Sequence, residues 1–143
     1  MRATLKTKSS SLLIIPAILL AFGAGQAQTS ASKTASANRA WPAFWQQFTA
    51  AVSKNDRVAF KKLMAPNFAD DSGGLKGTEW LRFMDENKRQ GSWRDFQKSV
   101  AGGTVVHKEW SGKGVPTRIT KDQGYYFEFR KDGKWYFAGV VGD

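Results

Sequence analysis

The stretch from Tyr125 to Val141 constrains this chain more than any other. Two aromatic-rich runs, Tyr125-Tyr126-Phe127-Glu128-Phe129-Arg130 and Lys134-Trp135-Tyr136-Phe137-Ala138-Gly139-Val140-Val141, are separated only by Lys131-Asp132-Gly133. Such runs joined by a glycine-containing turn read as a β-hairpin. A three-residue loop with Gly133 left-handed in a G1 bulge sets Phe129 opposite Trp135 and Phe127 opposite Phe137. Tyr125, Phe127, Phe129, Trp135, Phe137 and Val141 then share one face, and Glu128, Arg130 and Lys134 take the other. A two-residue Asp132-Gly133 loop would shift one strand by a residue and mix the faces. The hairpin therefore carries one greasy face, which demands a covering layer.

Two further strands, Thr104 to Trp110 and Val115 to Thr120, extend the sheet. Asp122-Gln123-Gly124 has the same turn chemistry and brings Ile119 beside Phe127 and Thr117 beside Phe129. The covering layer lies in the first half of the chain. Trp41, Phe44, Trp45, Phe48, Ala51 and Val52 recur at helical spacing, with Pro42 fitting the first turn. Ser53 to Asp56 supply N-cap candidates for a second helix presenting Ala59, Phe60, Leu63 and Met64, which Pro66 ends. Phe68 to Ser72 reads as a short strand or an irregular link. Thr78 can cap a third helix with Trp80, Leu81 and Met84, and Ser92 with Asp95 makes a capping box for a fourth piece through Val100. Helices followed by an antiparallel meander define an α+β domain.

Upstream, Arg2, Lys6 and Lys8 precede an apolar run from Leu12 to Ala24, and Gly25-Gln26-Ala27 follows with a small-x-small pattern. Together these read as a signal peptide over residues 1–27, cleaved after Ala27, giving a periplasmic or secreted product. The run is too short for a membrane span, which needs about 20 residues. Gln28 to Ala40 has no apolar period and reads as a flexible leader, so the single domain is expected over residues 41–143. Cleavage removes three basic residues and no acidic one, leaving nineteen against twelve and a net charge of +7. There is no cysteine and a single histidine, His107. Disulfide scaffolds, thiol nucleophiles and histidine-rich metal sites are thereby excluded, and core packing must supply the stability.

Two segments carry a resemblance. Trp45-x-x-Phe48-x-x-Ala51-Val52-x-x-x-Asp56 heads the domain, and Tyr125 to Phe137 with its Lys131-Asp132-Gly133-Lys134-Trp135 turn closes it. In these motifs and in the order of elements the domain resembles the nuclear transport factor 2-like superfamily, which includes SnoaL-like cyclases and ketosteroid isomerases. The resemblance implies a cone: a strongly curved sheet wrapped round N-terminal helices, with an apolar pocket open at one end. It also implies that many members dimerise through the sheet. Enzymatic members hold an aspartate or an Asp/His pair inside the cone, and no position here matches those residues.

Read from the residues themselves, the candidates for proton transfer are His107 with Glu109, two apart on an expected strand and so on one face, and the adjacent carboxylates Asp70 and Asp71. Each pair also has a plain structural reading, on a solvated face or in a glycine-rich turn. Asp85 and Glu86 are explained by pairing with Lys88 and Arg89 on a helix. Trp45, Trp80, Phe127, Phe129 and Trp135 would line a ligand pocket if the cone is open, and fill the core if it is not. The basic residues, among them Lys61-Lys62, Lys88-Arg89, Arg94, Lys98 and Arg130-Lys131, form no run longer than two. Nucleic acid is not an expected partner, and weak attraction to an anionic envelope surface is. No phosphate-binding or dinucleotide motif is present, so no cofactor and no metal is expected. The leading expectation is a non-catalytic domain binding a small apolar ligand or a protein. The alternatives are a cofactor-free isomerase, dehydratase or cyclase acting by proton transfer on a small apolar substrate, and a homodimer formed through the sheet.

Overall fold

The computed structural model describes residues 24–142, with side chains from residue 29 onward, so most of the expected signal segment lies outside the described residues. In chain order the elements are α1 (Ala24–Ser53), α2 (Arg57–Leu63), β1 (Met64–Asp70), α3 (Gly77–Glu86), a 3-10 turn (Lys88–Gln90), α4 (Ser92–Ala101), β2 (Thr104–Val106), α5 (Lys108–Gly112), β3 (Thr117–Thr120), β4 (Tyr125–Phe129) and β5 (Trp135–Val140). The five strands form one curved, unclosed sheet in the order β1-β5-β4-β3-β2. Helices and sheet together make a mixed α+β domain. The sheet is not wholly antiparallel, because β1 runs parallel to β5. Rings from α1 to α4 pack on the Phe127 and Phe137 face of the sheet.

The β4–β5 hairpin has the expected register, with Phe127 opposite Phe137 and Phe129 opposite Trp135. Gly133 takes φ 77° and its N–H donates to the Arg130 carbonyl at 3.0 Å, closing the three-residue loop. One residue on that face moves. A bulge between Phe137 and Gly139 adds Ala138 to β5, so Val140 joins the helix-covered core and Val141 packs on the opposite side.

The β3–β4 register is one residue off the expected one. Ile119 pairs with Tyr126 and Arg118 with Phe127. The Thr120 hydroxyl donates to Asp122 Oδ1 at 2.6 Å and accepts from the Tyr125 N–H at 3.1 Å. Thr120 thereby closes a four-residue loop, Lys121 to Gly124, with Gln123 at φ 61°. One extra loop residue turns Ile119 to the far face, where it is buried with Ala65, Tyr126 and Ala138.

The helical half departs from expectation at its caps. Residues 28–40, expected as a flexible leader, continue α1, so Pro42 sits in a helix interior and not in a first turn. Alanine-rich sequence suits a helix, but the anchoring is tertiary. Ala37 is buried, the Trp135 indole donates to its carbonyl at 2.8 Å, and Lys33 Nζ donates to the Gly114 carbonyl at 2.7 Å. Asp56 caps α2, accepting from the Ala59 N–H at 2.9 Å. The helix gives way to β1 at Met64, before Pro66. Glu79, reaching back to the Lys76 N–H at 3.0 Å, does the capping expected of Thr78. Ser92 makes no capping box: its hydroxyl donates to the Met84 carbonyl at 2.6 Å, and Gly91 at φ 98° opens α4.

Candidate functional site

The side of the sheet facing the helices is filled with rings. Phe48 lies 5.0 Å from Phe127, 5.4 Å from Phe60 and 5.5 Å from Phe137, centroid to centroid. Phe96 adds edge contacts to Phe48 and Phe60. These five rings are fully buried, and most of the contacts are edge-on or tilted, the geometry the ring quadrupole favours. Of the residues expected to line a pocket, Trp80 packs on Phe60, Phe68 and Phe137. Trp45 packs edge-on against Phe127. Phe129 and Trp135 pack on each other, and Trp135 on Trp41 at 4.7 Å. All five expected pocket residues thus meet other aromatic rings, and only Trp45 among them is partly exposed.

The expected titratable pairs do not converge. Chain that was expected to stay extended to Trp110 turns into α5 after Val106, so His107 and Glu109 no longer share a strand face. His107 is the N-cap: its Nδ1 accepts from the Trp110 N–H at 3.4 Å, and its ring lies 4.3 Å from that of Trp110. Glu109 is exposed in the first turn. Asp70 is buried, with Oδ1 accepting from the Ser72 N–H at 3.0 Å, the Ser72 hydroxyl at 2.9 Å and the Gly73 N–H at 3.1 Å. That is the bonding of a side chain that shapes a turn. Asp71 is exposed beside it, and both line a surface cavity of about 630 Å³ with Phe68, Leu75 and Lys76. Among the described residues no three histidine, aspartate or glutamate side chains are grouped to hold a metal ion.

Asp85 and Glu86 do not pair with Lys88 and Arg89. Asp85 accepts from Arg57 at 2.9 Å and from the Trp93 indole at 2.7 Å, while Arg57 lies 3.5 Å over the Trp93 ring. Glu86 meets Arg82 at 3.9 Å, one turn back. Arg57, Arg82 and both carboxylates line a surface cavity of about 550 Å³ between α2 and α3. A third cavity, about 460 Å³, lies against the far face of the sheet between Lys33, Pro66, Val115, Arg130 and Tyr136. There Arg130 lies 3.2 Å from Glu128, and the Tyr136 hydroxyl donates to Asp132 at 2.6 Å.

Three phenols and one guanidinium are tuned by their surroundings. Burial, then the nearby carboxylates of Asp71 and Glu128, push Tyr126 up to about 12. Burial also raises Tyr125, and donation to Asp132 raises Tyr136. Burial lowers Arg118, on β3, below the usual arginine value. Arg118 was not a candidate from sequence. The signal that could have found it is its place opposite Phe127, which only the four-residue loop creates.

Among the described residues no helix is long and apolar enough to cross a membrane. No family model, no curated protein and no solved structure matches the chain.

Proposed function

We propose that this chain is an exported, non-catalytic binding domain on a nuclear transport factor 2-like fold, working at its surface and rim and not through an enclosed pocket. The observation that carries this reading is the ring cluster of Phe48, Phe60, Phe96, Phe127 and Phe137 in the place where an open cone would hold its ligand. Fold alone never fixes function, so the weight falls on what the side chains are doing. Asp70 spends one carboxylate oxygen on its own turn, His107 caps a helix, and Asp71 and Glu109 face solvent. These roles support binding over proton-transfer chemistry. Export rests on the basic, apolar and small-x-small pattern of residues 1–27.

The test is a thermal-shift series with small apolar compounds on the purified protein, run beside alanine variants of Asp70, Asp71, His107 and Glu109. Surface binding predicts that uncharged apolar compounds leave the melting temperature unchanged, since an interior without space offers them nothing. A neutral compound that raises it, or a turnover that one of the four variants abolishes, would overturn the proposal.

A further inference from the structure

Arg118 sits on the helix-facing side of β3, opposite Phe127 on one neighbour and Val106 on the other. Its Cζ lies 4.7 Å from the centroid of the Trp41 ring, which is stacked in turn on Trp45 at 5.2 Å and 21°. Nε donates to Thr104 Oγ1 at 3.0 Å and Nη2 to the Thr104 carbonyl at 3.4 Å. Nε and Nη2 form one of the two edges along which a guanidinium presents paired N–H groups. Thr104 occupies that edge. The other edge, shared by Nη1 and Nη2, has no acceptor among the described residues.

Charge makes the arrangement unusual for this molecule. Arg57, Arg82, Arg94 and Arg130 each lie within 4.0 Å of a carboxylate. Arg39, Arg89 and Arg118 have no such partner among the described residues, but Arg39 and Arg89 are exposed, whereas Arg118 is half-buried and burial depresses its pKa. A cation stripped of part of its hydration and left without a counter-charge costs stability. Stacked on one ring and pinned along one edge, it is also preorganised, and the free edge is the fork that takes a two-oxygen anion. Val106, directly across the ladder on the edge strand, is 48% exposed, and Trp41 is partly exposed.

We propose that Arg118, Trp41, Thr104 and Val106 form a binding site for the carboxylate of a small apolar acid. The carboxylate meets the free guanidinium edge, and the apolar body lies on Val106 and the exposed part of Trp41. A guanidinium edge takes carboxylate and phosphate alike; the apolar surfaces of Val106 and Trp41 beside it select the carboxylate of an apolar acid, since inorganic phosphate has no apolar body to lay on them. The site rests on the reading above, because it is a rim site that needs the interior closed behind it.

The experiment is a 1H–15N titration of the purified protein with sodium benzoate, sodium acetate and inorganic phosphate, following the Arg118 Nε–H and the Trp41 indole. The expected result is saturable binding, tightest for benzoate and weakest for phosphate. Arg118→Lys keeps the charge but loses the fork and should weaken benzoate by about tenfold or more. Val106→Asp, at an exposed position that leaves the core intact, should abolish it. Shifts that never saturate, or phosphate binding as tightly as benzoate, would overturn the carboxylate site while leaving the filled interior standing. Undiminished binding in Arg118→Lys, with shifts at Phe48 and Phe127, would overturn both.

Discussion

Gly139 shows how closely β1, β4 and β5 pack at a single residue. A Cβ added there would run into the Ala69 carbonyl oxygen and stand 2.6 Å from the Tyr126 ring. Gly139→Ala is expected to destabilise the fold by about 1–3 kcal/mol, the ordinary cost of overpacking, read as a lower urea midpoint. Tyr126 sets a second expectation. Its phenol stays protonated in the folded chain up to about 12, against about 10 in an unfolded one. The stabilisation from the neutral phenol is complete below pH 10 and is lost as pH rises to 12. Urea midpoints should therefore hold to pH 10 and fall from there to 12, with a shallower fall in Tyr126→Phe. At this scale the sequence was legible where a backbone turn alone fixes the register, as at Gly133. It was not legible where a side chain intervenes: the Thr120 hydroxyl lengthened the next loop and moved both Ile119 and Arg118 to the opposite faces.

Helix α1 is the element the sequence described least well. The period of Trp41, Phe44, Trp45 and Phe48 was visible because those residues face the core. The preceding turns carry small and polar side chains, and no periodicity reports the long-range bonds that hold them. Pro42 has no N–H to give the Asn38 carbonyl, which leaves the ladder thin at this point. The indole of Trp135, 98 positions further along the chain, supplies an extra donor to the adjacent Ala37 carbonyl. Trp135→Phe should then speed amide hydrogen exchange over residues 37–41 and cost about 1–2 kcal/mol, while leaving the β4–β5 amides protected. Unchanged exchange in that segment would mean that helix propensity alone holds it. The strand-to-helix switch at His107 escaped detection for a related reason. A histidine N-cap differs from a strand residue only in what its ring accepts, so the two-residue spacing to Glu109 looked like a shared face.

For the whole molecule, stability without disulfides depends on the ring cluster. Phe137 touches Phe48, Phe60, Phe68, Trp80 and Phe96. Phe137→Ala should cost about 3–5 kcal/mol, a large share of the roughly 5–15 kcal/mol that holds a domain folded. The α+β class was legible because one-faced aromatic strands followed an amphipathic helical half. The parallel pairing of β1 with β5 was not, since Met64 to Asp70 shows no alternation strong enough to separate it from the helix before it. Whether the aromatic residues line a pocket or fill it was the question the sequence left open, because both demand the same side chains on the same face. Diffraction from crystals pressurised with xenon puts that question most directly, as the gas enters any apolar void large enough for it. A filled interior predicts no xenon among Phe48, Phe60, Phe96, Phe127 and Phe137. A xenon atom bound inside that ring cluster would contradict it.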